Sequence, residues 1–182
     1  MKCPNCTDSK LTPFFLEGLF RAHTCGECGG NWLLLDDYLR WKEHNPEYTF
    51  SQDASFEAED SRKALLCPES GAIMSKYRIA HDSEHRLDYS AAVGGVWLDK
   101  GEWEYLKEKG LAGSLNRVFT MQWQKALKDD SIKSTFTEVY CERFGEESYE
   151  KVKELREWLN SHPRKADLRA YLLANDPYSA EK

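Results

Sequence analysis

Apolar and polar positions follow different rhythms along the chain, and each rhythm predicts a different kind of element. Leu11 to Leu16 and Leu19 to Thr24 are apolar, β-compatible runs separated by Glu17-Gly18, which predicts a hairpin whose glycine takes a positive φ. Trp32-Leu33-Leu34-Leu35 follows, and Asp36 or Asp37 then stands where an N-cap would open a short helix carrying Tyr38, Leu39 and Trp41. From Asn45 to Ala64 the rhythm breaks. Pro, Ser, Asp and Glu predominate there and predict a linker, in which Tyr48, Phe50 and Phe56 are candidates for docking on a neighbour. Met74 to Ala80 and Arg86 to Ala91 alternate again around the polar turn His81 to His85. A short helix with Trp103, Tyr105 and Leu106 then ends at Gly110. After Ser114 the spacing is helical. Leu115, Val118, Phe119, Trp123, Ala126 and Leu127 form one stripe, and Ile132, Phe136, Val139, Tyr140 and Phe144 a second that stops at Gly145. Tyr149, Val152, Leu155 and Leu159 form a third that Pro163 ends, and Leu168, Tyr171, Leu172 and Leu173 a short fourth. These three to four helices are expected to pack as one body on the second hairpin.

Cysteine spacing adds chemistry to the first hairpin. Cys3-Pro4-Asn5-Cys6 precedes it and Cys25-Gly26-Glu27-Cys28 closes it. Each Cys-x-x-Cys is a tight knuckle that turns two thiolates toward one point, so two knuckles joined by a hairpin make a tetrahedral S4 shell for zinc, a zinc ribbon. A redox pair fits less well, because a thioredoxin-like Cys-x-x-Cys opens a helix after a strand, whereas glycines surround the second pair here. A shell of four thiolates leaves zinc no open position, which makes the metal structural. Gly29-Gly30 gives the backbone room to wrap the sulfur. The remaining cysteines, Cys67 and Cys141, are solitary and read as buried thiols. His81 and His85 lie in a predicted turn without a matching set of ligands, so one zinc is expected and no second metal.

The chain also repeats itself. Cys67-Pro68-Glu69-Ser70 echoes the first knuckle, and Gly94-Gly95-Val96-Trp97-Leu98 echoes Gly29-Gly30-Asn31-Trp32-Leu33. Under that alignment Ser70, Ser90 and Val93 stand where Cys6, Cys25 and Cys28 stand in the first copy. The second copy therefore predicts a ribbon without metal, held by apolar contact of Cys67 and Val93 while the serine hydroxyls bond locally to backbone. Trp32 and Trp97 are expected to complete each ribbon's own small core.

These motifs, Cys-Pro-x-Cys, a hairpin and Cys-x-x-Cys-Gly-Gly-x-Trp-Leu, then Gly-Gly-Val-Trp-Leu-Asp-Lys-Gly-Glu, resemble the bacterial TFIIB-type zinc-finger family over about residues 1 to 42 and 65 to 107. The resemblance implies zinc on Cys3, Cys6, Cys25 and Cys28, and members are described as nucleic-acid-binding or transcription-related. The expected fold class is α+β: a zinc ribbon with a short helix at 1–44, an acidic linker at 45–64, a degenerate metal-free ribbon with a short helix at 65–110, and a helical region at 111–182 packed on the second repeat.

Charge and composition bear on function. The chain has 182 residues, 41% of them apolar, and a formal net charge of -6. Zinc on four thiolates makes the folded protein about two charges more negative. Lys and Arg are not in excess in any segment, which argues against the counterion-release attraction that drives general nucleic-acid binding. Neither a signal-peptide pattern nor a long apolar run is present, so a cytoplasmic protein without a membrane span is expected. His-Glu-x-x-His, Gly-x-Ser-x-Gly and phosphate-binding glycine loops are absent, and Cys141 lies among Val139, Tyr140 and Phe144 as a core thiol would, so no enzyme is expected. Glu146, Glu147, Glu150, Glu154 and Glu157 read as a solvated face, and Trp158, off the main stripe, as an exposed anchor. The leading expectation is a zinc-binding adaptor or regulator acting through a protein partner. The alternative is transcription-related nucleic-acid binding.

Overall fold

The computed structural model describes residues 1–6, 8–51, 58, 61 and 63–178. Its fold is α+β, with one six-stranded antiparallel sheet and six α-helices among the described residues. The strands are β1 (Leu11–Leu16), β2 (Phe20–Cys25), β3 (Asn31–Leu34), β4 (Ser75–Arg78), β5 (Arg86–Ser90) and β6 (Gly95–Leu98). They lie in the order β1-β2-β3-β6-β5-β4, so the two hairpins meet through their third strands. Trp32 stands opposite Trp97, Leu33 opposite Val96, and Leu34 opposite Gly95. Helices α1 (Leu35–His44) and α2 (Glu102–Glu108) follow β3 and β6.

The alternation of a strand sends neighbouring residues to opposite faces, and both faces here are filled from both hairpins. Trp32 and Trp97 join Cys3, Leu11, Cys25, Leu65, Cys67 and Met74 in one buried cluster. Leu33, Val96 and Leu98 belong to the other cluster, with Leu16, Phe20, Tyr38, Ile79, Leu87, Trp103 and Leu106. The indoles are therefore not private to their own ribbons, as the repeat suggested. A Cβ on Gly30 would lie 2.2 Å from the Trp97 ring, and a Cβ on Gly95 would lie 2.1 Å from the Trp32 ring. Each Gly-Gly-x-Trp motif thus supplies a tryptophan to the other strand and a glycine that makes space for the tryptophan it receives. Glu69, in the second knuckle, accepts the Trp32 Nε1 proton at 2.8 Å, and Asp99 accepts that of Trp97 at 2.8 Å.

The expected division into a ribbon at 1–44 and a second at 65–110 across a linker gives way to a single unit, Met1–Ser131. The physical reason is that β3 and β6 would otherwise be short edge strands with unpaired backbone and half-covered tryptophans. Part of the linker is packed as well. Trp41 contacts the rings of Tyr48 and Phe50 at 5.2 and 5.5 Å, and Phe50 meets Trp103 edge-on at 5.3 Å. Phe56 lies outside the described residues. The first hairpin is pinned by its turn: Glu17 (φ 55) and Gly18 (φ 71) are both left-handed, and the Glu17 carboxylate accepts from Trp103 Nε1 at 3.0 Å and Lys107 Nζ at 2.6 Å. Asp36 and Asp37 sit inside the first turn of α1, where they act on the helix dipole rather than through a side-chain cap bond.

Beyond Gly110, a 3-10 turn (Ala112–Ser114) and α3 (Leu115–Val118) bring Leu111, Ala112, Leu115 and Val118 into the cluster of Leu33 and Val96. Tyr38 Oη donates to the Ala112 carbonyl at 2.9 Å. The first two predicted helical stripes are displaced from their expected boundaries. Thr120 Oγ1 accepts the Trp123 amide at 3.2 Å and opens α4, which runs unbroken from Met121 to Phe144. Lys128 to Ser131 contain no helix breaker, so nothing stops the helix where a gap was expected. The helical region expected at 111–182 meets the second hairpin through its first part, where Trp123 Nε1 and Gln124 Nε2 donate to the Ile79 and Arg78 carbonyls at 3.2 and 2.8 Å, while Ile132–Lys182, with the end of α4, α5 (Glu146–Ser161) and α6 (Lys165–Leu173), forms a second unit. Cys141, expected to be buried, is half-buried, whereas Trp158 is exposed as expected. Among the described residues no helix is long and apolar enough to cross a membrane.

Candidate metal centre

The knuckles are shaped by backbone hydrogen bonds that bend the chain around sulfur. Cys3 N–H donates to the Ser9 carbonyl at 2.9 Å, and Cys6 N–H to Cys3 Sγ at 3.3 Å. On the other side Gly29, at φ 70, donates to the Cys25 carbonyl at 2.9 Å, and Cys25 N–H to the Gly30 carbonyl at 2.9 Å. Gly29 thus makes the positive-φ turn at the sulfur, while Gly30 is needed for Trp97. The β1–β2 hairpin, registered Leu11 opposite Cys25, brings the knuckles together.

The four sulfurs of Cys3, Cys6, Cys25 and Cys28 all lie within 4.8 Å of one another, with Cys3 and Cys28 at 3.7 Å. A tetrahedron with Zn–S bonds of about 2.3 Å has edges of about 3.8 Å, so the donor set fits zinc in size as well as chemistry. All four are free thiols rather than disulfide partners. Cys3 and Cys25 are buried, and Cys6 and Cys28 half-buried.

Their electrostatics oppose one another. Burial, together with hydrogen bonds from the Cys25 and Cys28 thiols, pushes Cys3 up to about 11. Burial and then Cys28 raise Cys6 further, beyond the ordinary thiol range. Cys25 is also penalised by burial, but the Cys28 and Glu27 amides and neighbouring thiols bring it down to about 7. Thiols this close resist becoming thiolates together, and a dication at their centre reverses that balance. Bound zinc supplies a four-way cross-link between the two knuckles. Among the described residues these four cysteines are the one group of three or more His, Cys, Asp or Glu side chains placed to hold a metal.

Residues 67–72 and 90–94 bend through similar backbone hydrogen bonds, with Cys67 as their one cysteine. Cys67 N–H donates to the Ala72 carbonyl at 2.8 Å, Ser70 N–H to Cys67 Sγ at 3.4 Å, and Gly94 N–H to the Ser90 carbonyl at 2.9 Å. Although burial opposes it, the neighbouring Ser70 and Ser90 hydroxyls and the Ser70 and Glu69 amides hold the Cys67 thiol below its ordinary value. Cys67, Ser70 and Ser90 therefore converge, with Val93 at the margin of the same apolar cluster. Ser70 Oγ also accepts from the Ala72 amide at 3.3 Å, the local bond expected of it. His81 is exposed in its turn, and His85 packs on Tyr105 with centroids 5.0 Å apart.

The residues that brace the zinc shell from the other half of the sheet are not evident from the sequence. Leu65, Cys67, Met74 and Trp97 share its cluster. The signal available was the pair of Gly-Gly-x-Trp motifs, whose glycines serve a partner indole.

Residues 2–44 match the model of the TFIIB-type zinc-ribbon family described as transcription factor zinc-finger. No curated protein and no solved structure matches the chain. The clustered cysteines and this match support one structural zinc in an N-terminal ribbon.

Proposed function

We propose that the protein is a non-enzymatic zinc-binding adaptor or regulator of the cytoplasm that acts through protein contacts. The observation carrying this reading is the closed shell of four sulfurs, which makes the metal a fastener and leaves recognition to surfaces. Exposed large apolar residues supply such surfaces, including Phe14 and Phe15 near the tip of the first hairpin and Trp158 on α5. Its test is cross-linking of the full chain in cells. One partner protein retained by the native chain and lost with Trp158→Ser is the expected result, and an unchanged set of cross-links contradicts it.

The family description favours a second reading, nucleic-acid binding through the ribbon. An electrophoretic shift series decides between the two. The acidic chain is expected to give no shift from about 50 to 200 mM salt, whereas a complex that weakens steeply with salt supports the second reading.

We also infer that residues 65–110 are a second ribbon copy that has lost its metal. The matched hydrogen bonds of the two knuckle pairs support this, as does the pairing of β3 with β6. Ser70→Cys, Ser90→Cys and Val93→Cys, made together, should raise tightly bound zinc from one equivalent to two. Metal analysis of the purified variant reads this directly, and a stoichiometry that stays at one contradicts the copy.

A further inference from the structure

The four ligands of the zinc shell are not equally protected. Cys3 and Cys25, the first cysteine of each knuckle, are 6% and 1% exposed, while Cys6 and Cys28, the second of each, are half-buried. Amides sharpen the difference. The Cys6 N–H donates to Cys3 Sγ at 3.3 Å, and the neighbouring Cys28 and Glu27 amides stabilise the Cys25 thiolate. Whatever makes a thiolate less basic also makes it a weaker nucleophile. Solvent therefore reaches one thiolate on each knuckle, and all four sulfurs lie within 4.8 Å of one another. Cys6 and Cys28 are close enough to be joined once no metal holds them apart.

The remaining cysteines do not combine access with charge. Cys67 is 3% exposed, and Cys141, although half-buried, stands on α4 outside the metal-holding group. Oxidation selects thiols that are both exposed and ionised, which singles out the outer pair of the shell.

We propose that the shell is a peroxide-sensitive switch, in which a disulfide between Cys6 and Cys28 displaces the metal and opens the sheet. One of the two thiolates attacks an oxygen of hydrogen peroxide, the O–O bond breaks, and a sulfenic acid forms as hydroxide leaves. The other thiolate attacks that sulfur, the S–S bond forms, the S–O bond breaks, and a second hydroxide leaves. Two protons from solvent turn both hydroxides into water, so the two sulfurs lose the two electrons that peroxide gains. Cys3 and Cys25 alone are too few to hold a structural zinc. Both belong to the cluster of Leu65, Cys67, Met74 and Trp97, so the loss reaches the second hairpin. Reduction returns four thiols to the same place, and the switch resets with zinc. The proposal rests on the one structural zinc and not on the identity of a partner.

The test adds hydrogen peroxide at about 0.1 to 1 mM to the full zinc-loaded chain without reductant. A chromogenic chelator reads released zinc, non-reducing peptide mapping reads disulfides, and near-ultraviolet circular dichroism reads the buried Trp32, Trp97 and Trp103. The expected result is loss of zinc in step with a Cys6–Cys28 disulfide, loss of the tryptophan signal, and recovery of all three with dithiothreitol and zinc. Cys141→Ser should leave the rate of release unchanged. Zinc retained while Cys67 or Cys141 is oxidised overturns the proposal, as does a disulfide within one knuckle or a release that reduction does not reverse. Chelation without peroxide separates the two parts of the claim. Tryptophan signal lost on chelation but kept after oxidation overturns the switch alone, whereas signal kept in both overturns the coupling of the hairpins and the switch with it.

Discussion

Replacing Cys25 and Cys28 with serine is expected to unfold both hairpins of the sheet in one step, not the first alone. Zinc on four thiolates contributes on the order of 10 kcal/mol to small ribbon folds, and a whole domain is commonly stable by only about 5–15 kcal/mol. Losing half the ligands therefore removes most of what holds Met1–Ser131 together. The damage spreads because the zinc shell and the second hairpin have no separable core. Cys3 and Cys25 share one cluster with Cys67, Met74 and Trp97, and β3, which follows the second knuckle directly, pairs along its length with β6. Near-ultraviolet circular dichroism of the buried Trp32, Trp97 and Trp103 reads the outcome. All their signal should be lost together, and denaturation of the native zinc protein should show one transition for these residues. A variant that keeps the Trp97 and Trp103 signal contradicts this coupling.

The second large effect comes from one methyl group. Gly95→Ala places a Cβ 2.1 Å from the Trp32 ring, and Gly30→Ala places one 2.2 Å from that of Trp97. Neither indole can retreat. Trp32 and Trp97 are 1% and 0% exposed, and their ring nitrogens are tied to Glu69 and Asp99. Overpacking of this kind costs about 1–3 kcal/mol in an adaptable core, and two fixed indoles put the expected loss at the upper end, about 3 kcal/mol for each substitution. Gly26→Ala is the control, because a methyl there meets nothing within 4 Å, and its effect should stay within about 0.5 kcal/mol. Chemical denaturation of the three variants checks the order. Shrinking the opposing ring, as in Trp32→Leu with Gly95→Ala, should make the combined loss smaller than the sum of the two single losses.

The local elements were legible in the sequence where local chemistry determines them. The hairpin of Leu11 to Cys25 was visible through its alternation and through Glu17-Gly18, and the zinc ligands through a spacing that few other sites use. The second hairpin was visible through the alternation on either side of His81 to His85. What stayed hidden was long-range. Pairing of β3 with β6 joins residues far apart in the chain, and each four-residue strand is too short to announce a partner. The glycines of Gly-Gly-x-Trp looked like space around a sulfur, because the indole that fills the space at Gly30 comes from the other half. Helix boundaries failed for a related reason. Apolar stripes in α4 on either side of Lys128 to Ser131 read as two helices, yet periodicity says nothing about whether a polar stretch is also a break. The openness of Phe136 and Phe144 was equally out of reach, since a stripe that faces solvent has the same spacing as one that faces a core.

Hydrogen exchange resolved by peptide, on the zinc-loaded chain and after chelation, tests the central claim that one metal holds a sheet built from two halves. The account predicts that residues 75–98, which contain no zinc ligand, lose protection on chelation together with residues 11–34. Protection that disappears from 11–34 while 75–98 remains as slow to exchange as in the zinc protein would contradict it, and the two hairpins would then be independent folds that share an edge.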